Sequence, residues 1–82
     1  MPYFEFLWTE EIVIHLAEHD ISPDDFEQIV MNPDNTGKSR SSGNPVAFGY
    51  IPDGRYIITV YKKIDFITVL PVTAYEVGEP RQ

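Results

Sequence analysis

The chain has 82 residues, of which 43% are hydrophobic and 13% aromatic, and its formal net charge is −7. This length allows one domain with a thin core, and the apolar content excludes intrinsic disorder. No cysteine is present, which excludes disulfides and thiolate metal sites, and no apolar run reaches the roughly 20 residues that a membrane span needs. We expect a single domain over residues 1–82 that resides in the cytoplasm and does not contact a membrane.

Charge is distributed unevenly along the chain. Residues 1–35 contain nine acidic residues and neither lysine nor arginine, whereas residues 36–63 contain five basic residues and one acid. The acidic part repels nucleic acid, while the basic part can attract it. The alternative is that these charges only keep the protein soluble.

The first third of the chain predicts an extended segment and two helices. The aromatic residues 3–8 predict an edge strand or an extended arm. Thr9 is a good N-cap, and apolar residues then recur at helical spacing, which predicts a helix over residues 10–19. Ser22-Pro23 is typical of a helix start and Asn32-Pro33 of a helix end, so a second helix follows after a tight link.

A loop and a first hairpin are predicted next. Residues 34–44 are polar and rich in glycine and serine, which predicts a mobile basic loop. From Val46 the apolar residues alternate as in a strand, and Pro52-Asp53-Gly54 predicts a hairpin turn. Residues 56–61 then predict a second strand, which we expect to be central.

The last part of the chain predicts one more strand. Residues 62–65 are expected to connect to a strand over residues 66–73, with Pro71 at an edge or a bulge, and residues 74–82 are expected to fray. The fold class is therefore α+β: two N-terminal helices packed on a three- to four-stranded antiparallel β-meander, with or without a short N-terminal strand. Apolar area that the helices leave uncovered would be buried in a homodimer.

One helix face carries a candidate metal-binding set. Glu11, His15 and His19 are spaced four residues apart and so share this face. Such a set can bind zinc, but the glutamate of H-E-x-x-H is missing and no further ligand is evident. We predict neither a metal site nor another cofactor, and expect His19 to cap the helix end.

A basic and phenolic set is the second candidate for chemistry. Metal-free cleavage of RNA needs a base for the 2′-hydroxyl, a cation for the phosphorane charge and an acid for the leaving oxygen. Arginine suits the cation role, and tyrosine rings can stack on bases. The set consists of Lys38, Arg40, Tyr50, Arg55, Tyr61, Lys62 and Lys63. A structural alternative stays open, in which Arg55 pairs with Asp53 and the tyrosines pack across strands.

Several segments, in chain order, resemble the signatures of BrnT-type toxins. They are Trp8-Thr9-Glu10-Glu11, His19-Asp20-Ile21-Ser22-Pro23-Asp24-Asp25-Phe26-Glu27, Asn32-Pro33, Gly49-Tyr50-Ile51-Pro52-Asp53-Gly54-Arg55 and Leu70-Pro71-Val72-Thr73-Ala74-Tyr75-Glu76. The family reads W-[DT]-x-E, K-H-G-[IV]-S-x-E-E, a D/N-P, G-x-[ST]-x-D-G-R and [IV]-x-x-[IV]-[ST]-A-R at these places. Glu18, Asp20 and Tyr75 stand where the family has lysine, glycine and arginine.

This resemblance implies a RelE/ParE-like fold, and a toxin of a type II toxin–antitoxin system. Such a toxin is a metal-independent ribonuclease that a cognate antitoxin protein neutralises. In this function the arginines would stabilise phosphate charge, and the tyrosine or the histidine would transfer protons. The expected catalytic residues are Arg40, Arg55, Tyr61 and His19. The residues expected to bind RNA are Lys38, Tyr50, Lys62 and Lys63.

Two other functions compete with the ribonuclease. The first is a non-catalytic protein-interaction domain on the same scaffold, which binds a protein partner or a second copy through its acidic helices and aromatic arm. The second is a small-molecule or metal-dependent enzyme, which only the two histidines support.

Overall fold

The computed structural model describes residues 4–39 and 43–78. Its two helices are α1 (Glu10–Ala17) and α2 (Pro23–Met31). Its five strands are β1 (Glu5–Phe6), β2 (Asn35–Lys38), β3 (Pro45–Tyr50), β4 (Tyr56–Lys63) and β5 (Thr68–Glu76). Within these described ranges, neither helix has the length and apolar character needed to cross a bilayer.

Both helices begin where their capping residues predict. The Thr9 hydroxyl accepts a hydrogen bond from the backbone N–H of Ile12, and the Ser22 hydroxyl accepts one from Asp25. These bonds satisfy N–H groups that the first helical turn leaves without a partner, so the predicted N-caps are confirmed.

Helix α1 ends earlier than predicted, at Ala17 instead of residue 19. The N–H of Ile21 donates to the carbonyl of Leu16, and the N–H of Asp20 donates to that of Ala17. This pattern is a Schellman motif, in which a residue shortly after the last helical residue takes the left-handed conformation. Asp20 occupies that position with φ 57°.

The five strands form one mixed sheet in the order β1-β5-β4-β3-β2. Strands β2 to β5 are antiparallel to their neighbours, whereas β1 is parallel to β5. The α+β class and the central position of β4 are confirmed. The sheet as a whole is mixed and has five strands, because the short N-terminal strand β1 pairs in parallel with β5, so it differs from the purely antiparallel meander that was predicted.

Strand β2 lies inside the segment predicted to be a loop. All four of its residues are exposed, so no apolar alternation marks it in the sequence, and its pairing with β3 alone defines it. Its edge position allows this polar sequence, because neither face of the strand is buried.

Strand β5 differs from its predicted bounds. It begins at Thr68 and runs to Glu76, so residues 74–76 pair with β4 instead of fraying. Val60 pairs with Thr73 and Tyr61 pairs with Pro71, which leaves Val72 as the extra residue of a bulge. The bulge beside Pro71 confirms one of the two predicted positions for this proline.

The core lies between the helices and one face of the sheet. Helix α1 packs against β5, and α2 packs against β3 and β4. The largest fully buried side chains are Phe26, Leu16, Ile57, Val69 and Thr59. A Cβ atom at Gly49 would lie 3.2 Å from Cγ1 of Ile29, so the absence of a side chain there lets α2 approach β3 closely.

Candidate functional site

Arg55 follows the β3–β4 turn, and all three nitrogens of its guanidinium donate hydrogen bonds. Nε donates to a carboxylate oxygen of Asp53 at 2.7 Å. One terminal nitrogen donates to the carbonyl of His19 at 2.9 Å and the other to the carbonyl of Asp20 at 2.6 Å. The backbone N–H of Arg55, with help from its guanidinium, also lowers the pKa of Asp53 below its usual value.

These contacts give Arg55 a structural role. The two carbonyls belong to residues just after α1, where helix carbonyls need outside donors. A cation is also favoured at this end of a helix. Arg55 therefore ties the β3–β4 turn to the link between the two helices.

Neither His15, in α1, nor His19, just after it, joins this cluster through its ring. His19 meets Arg55 through its backbone carbonyl, while its ring centroid lies 5.3 Å from that of His15. Nε2 of His15 lies 2.8 Å from the hydroxyl of Thr73. No group of three metal-ligating side chains is found in residues 4–39 and 43–78.

Lys38 and Arg55 lie at opposite ends of β3. Lys38 pairs with Pro45 at the start of this strand, while Ile51, just beyond its end, donates to the carbonyl of Arg55. Six residues of strand separate these places, which is roughly 20 Å. Arg40 lies outside the described residues. The structure therefore does not bring Lys38 and Arg55 to one phosphate-sized site.

The remaining candidates are also spread over the molecule. Tyr61 packs against the core, and burial raises its pKa. Nζ of Lys63 lies 5.6 Å from the centre of the Phe4 ring, and the Tyr50 ring lies 4.7 Å from the Tyr56 ring. Lys62 is exposed near the end of β4.

The face of the sheet opposite the helical core carries an apolar groove. We call it the open-face groove, and its volume is about 420 Å³. Its lining includes Val46, Phe48, Ile58, Val60 and Tyr75, together with Gly37 and Lys38 of β2 and Ser39 just after it. The register explains why these side chains meet, because they pair directly across neighbouring strands.

The open-face groove has a buried floor and an exposed wall. Val46 is 3% exposed and Val60 is 8% exposed, whereas Tyr75 is 41% exposed. Lys38 is the charged residue among the described residues that line the groove. It forms no ion pair with another described residue. The groove therefore combines an apolar floor with a cation beside it.

Sequence reasoning missed this groove, although a signal for it was present. Strands β3 and β4 are apolar on both faces: Ala47 and Ile57 face the helical core, while Val46 and Ile58 line the groove. A sheet with one solvated face usually alternates apolar and polar residues. Apolar residues on both faces therefore indicate a second surface that can be covered.

Comparisons of the chain with protein-family models, with curated proteins and with solved structures find no match.

Proposed function

We propose that the protein is a non-catalytic, cytoplasmic protein-interaction domain, and that its open-face groove binds an apolar segment of a partner protein flanked by acidic residues. The observation that carries this proposal is the apolar groove on the sheet face opposite the helical core, with Lys38 beside it. Its volume of about 420 Å³ is within the usual range of binding pockets, roughly 300–1,000 Å³.

The distribution of charge indicates that the partner segment carries acidic residues. The acidic residues of the two helices lie on the other side of the sheet, and they repel an acidic partner from that side. Lys38 lines the groove, and Lys62 follows Val60 on the same face of β4 by strand alternation. An acidic flank is thus attracted to this one face, while apolar side chains enter the groove.

A displayed library of random peptides tests this proposal. We expect the selected peptides to combine large apolar residues with aspartate or glutamate. Lys38→Glu should weaken their binding about tenfold or more, because like charges then meet beside the groove. Tyr75→Ala should weaken it about 30-fold, because the ring forms the exposed wall of the groove and its loss removes an aromatic anchor.

Lys63→Glu is the matched control, since it changes the net charge equally but alters a lysine placed over Phe4. It should leave peptide binding nearly unchanged. Failure to enrich any peptide, or equal loss of binding in both lysine variants, would contradict the proposal.

The second candidate is a BrnT-like, RelE/ParE-like toxin that cleaves RNA without a metal and has a cognate antitoxin as partner. The observation that favours it is that Lys38 and two aromatic rings, Phe48 and Tyr75, line the same groove. A cation beside stacking rings can hold a phosphate and its base. An observation against this candidate is that the guanidinium of Arg55 already donates hydrogen bonds to three protein acceptors, so it is not free to bind phosphate.

Incubation of folded protein with RNA in EDTA tests this candidate. The toxin function predicts cleavage that Lys38→Ala reduces. Absence of cleavage over a broad pH range would reject it, while leaving the peptide-binding proposal to its own test.

A further inference from the structure

The turn between β4 and β5 exposes apolar side chains to water, which is energetically unfavourable. We call Ile64–Ile67 the tip. Phe66 is 92% exposed, Ile64 is 53% exposed and Ile67 is 49% exposed. Hairpin turns are usually polar, so three exposed apolar residues in four mark a surface for contact with another molecule.

The tip is held in one shape by its own hydrogen bonds. The N–H of Ile64 donates to the carbonyl of Thr68 at 2.9 Å. A carboxylate oxygen of Asp65 accepts from the N–H groups of Ile67 and Thr68, at 3.0 and 2.8 Å. The backbone of a turn fixed in this way needs little further ordering when Phe66 meets a partner, which lowers the cost of binding.

A second groove lies nearby, between α1 and β5. This α1–β5 groove has a volume of about 620 Å³. Its apolar lining includes Ile14, which is 55% exposed, together with Leu70 and Val72. Two carboxylates, those of Glu11 and Glu18, also line it.

We propose that the tip of one molecule inserts into the α1–β5 groove of a second copy, and that the reciprocal contact closes a symmetric homodimer. Charge complementarity supports this occupant: Lys62 and Lys63 immediately precede the tip, while Glu11 and Glu18 line the groove. An anionic membrane surface is disfavoured by the net charge of −7.

The spacing of the two surfaces suits a two-fold axis. Phe66 precedes Leu70 by four residues and Val72 by six, so the tip and the groove are roughly 13–20 Å apart along the chain. An axis between them brings each tip to the other molecule's groove, as an isologous interface requires. Leu7 is 41% exposed and its N–H donates to the carbonyl of Val69, which places it near this axis.

Sedimentation equilibrium of the full chain, from micromolar to millimolar concentration, tests the inference. Wild-type protein should form a dimer. Phe66→Ser removes the tip's anchor, and Ile14→Lys places a cation in the groove while keeping a good helix former. Each variant should weaken dimerisation at least about 100-fold, because symmetry repeats the loss. Both altered residues are exposed, and circular dichroism should show that both variants remain folded.

Mixing the two variants gives the decisive result. A heterodimer of Phe66→Ser with Ile14→Lys keeps one intact tip facing one intact groove, so the mixture should associate more tightly than either variant alone. A wild-type monomer at all concentrations, variants that dimerise like wild type, or no recovery on mixing would overturn the inference. Binding of monomeric wild-type protein to anionic vesicles, lost in Phe66→Ser, would also overturn it.

This inference does not depend on the open-face groove. Peptide binding measured on the Phe66→Ser variant should equal that of wild type, so failure of the dimer and failure of the proposed function are distinguishable.

Discussion

Arg55 shows that one contact of a residue can be predicted from the sequence while its other contacts cannot. The sequence offered two roles for it, phosphate binding and a pair with Asp53, and the structure contains that pair. Its other two acceptors are carbonyls 36 and 35 residues away in the chain. No local pattern predicts such a contact, because it depends on where the β3–β4 turn meets the end of α1.

Replacement of Arg55 should therefore lower stability. Arg55→Ala leaves the carbonyls of His19 and Asp20 without these donors, and Arg55→Lys keeps the charge but loses the planar fork that reaches several acceptors. We expect both variants to lower Tm, with the lysine variant intermediate, as measured by thermal unfolding. Lys62→Ala is the control, and an unchanged Tm for Arg55→Ala would contradict this structural role.

Gly49 is a second residue whose importance only the packing shows. Gly49→Ala should destabilise the fold by roughly 1–3 kcal/mol, because its Cβ would press on Ile29 in a full core. Gly37→Ala is the matched control, since the nearest atom would be 3.7 Å away, an ordinary contact. Urea unfolding of both variants measures the difference, and equal stabilities would refute the close approach of α2 to β3.

At the scale of elements, the helices were predictable and the sheet edges were not. Thr9 and Ser22 mark helix starts through a local hydrogen bond, which a sequence displays directly. Strand β2 reads Asn-Thr-Gly-Lys and exists through its pairing with β3, which is tertiary information. The tip was read partly as the start of a strand, because apolar residues in a sequence do not reveal whether they are covered.

The hydrogen bonds of Asp65 in the β4–β5 turn lead us to predict that the stability of the fold depends on pH. Hydrogen bonds from the backbone N–H groups of Ile67 and Thr68 lower the pKa of Asp65 from 3.8, so this carboxylate stabilises the fold above that pH. The stabilisation is lost as the pH falls through the lowered folded-state pKa. Asp65→Asn keeps a neutral acceptor, so it should cost stability at pH ~6 and little at pH ~2.

Chemical unfolding at the two pH values measures this effect. Asp65→Ala, which keeps no acceptor, serves as the control and should be destabilised at both. A constant difference between wild type and Asp65→Asn would show that the charge of Asp65 does not stabilise the turn.

At the scale of the whole molecule, the acidic residues of the helices and Lys38 lie on opposite sides of the sheet. Acidic residues occupy the first turns of both helices, whereas Lys38 lies beside the open-face groove. The sequence revealed this uneven charge and an α+β fold. It did not reveal the groove, because the groove needs the register that sets Val46 beside Val60 and Ile58 beside Tyr75.

An amide NMR titration of the protein with a selected acidic, apolar peptide tests most directly whether the open-face groove binds its partner. We expect the largest shift changes at residues lining the open-face groove, including Val46, Ile58 and Tyr75, and we expect Lys38→Glu to suppress them. Shift changes confined to α1 or to the tip, or a titration that Lys38→Glu leaves unaltered, would contradict this expectation.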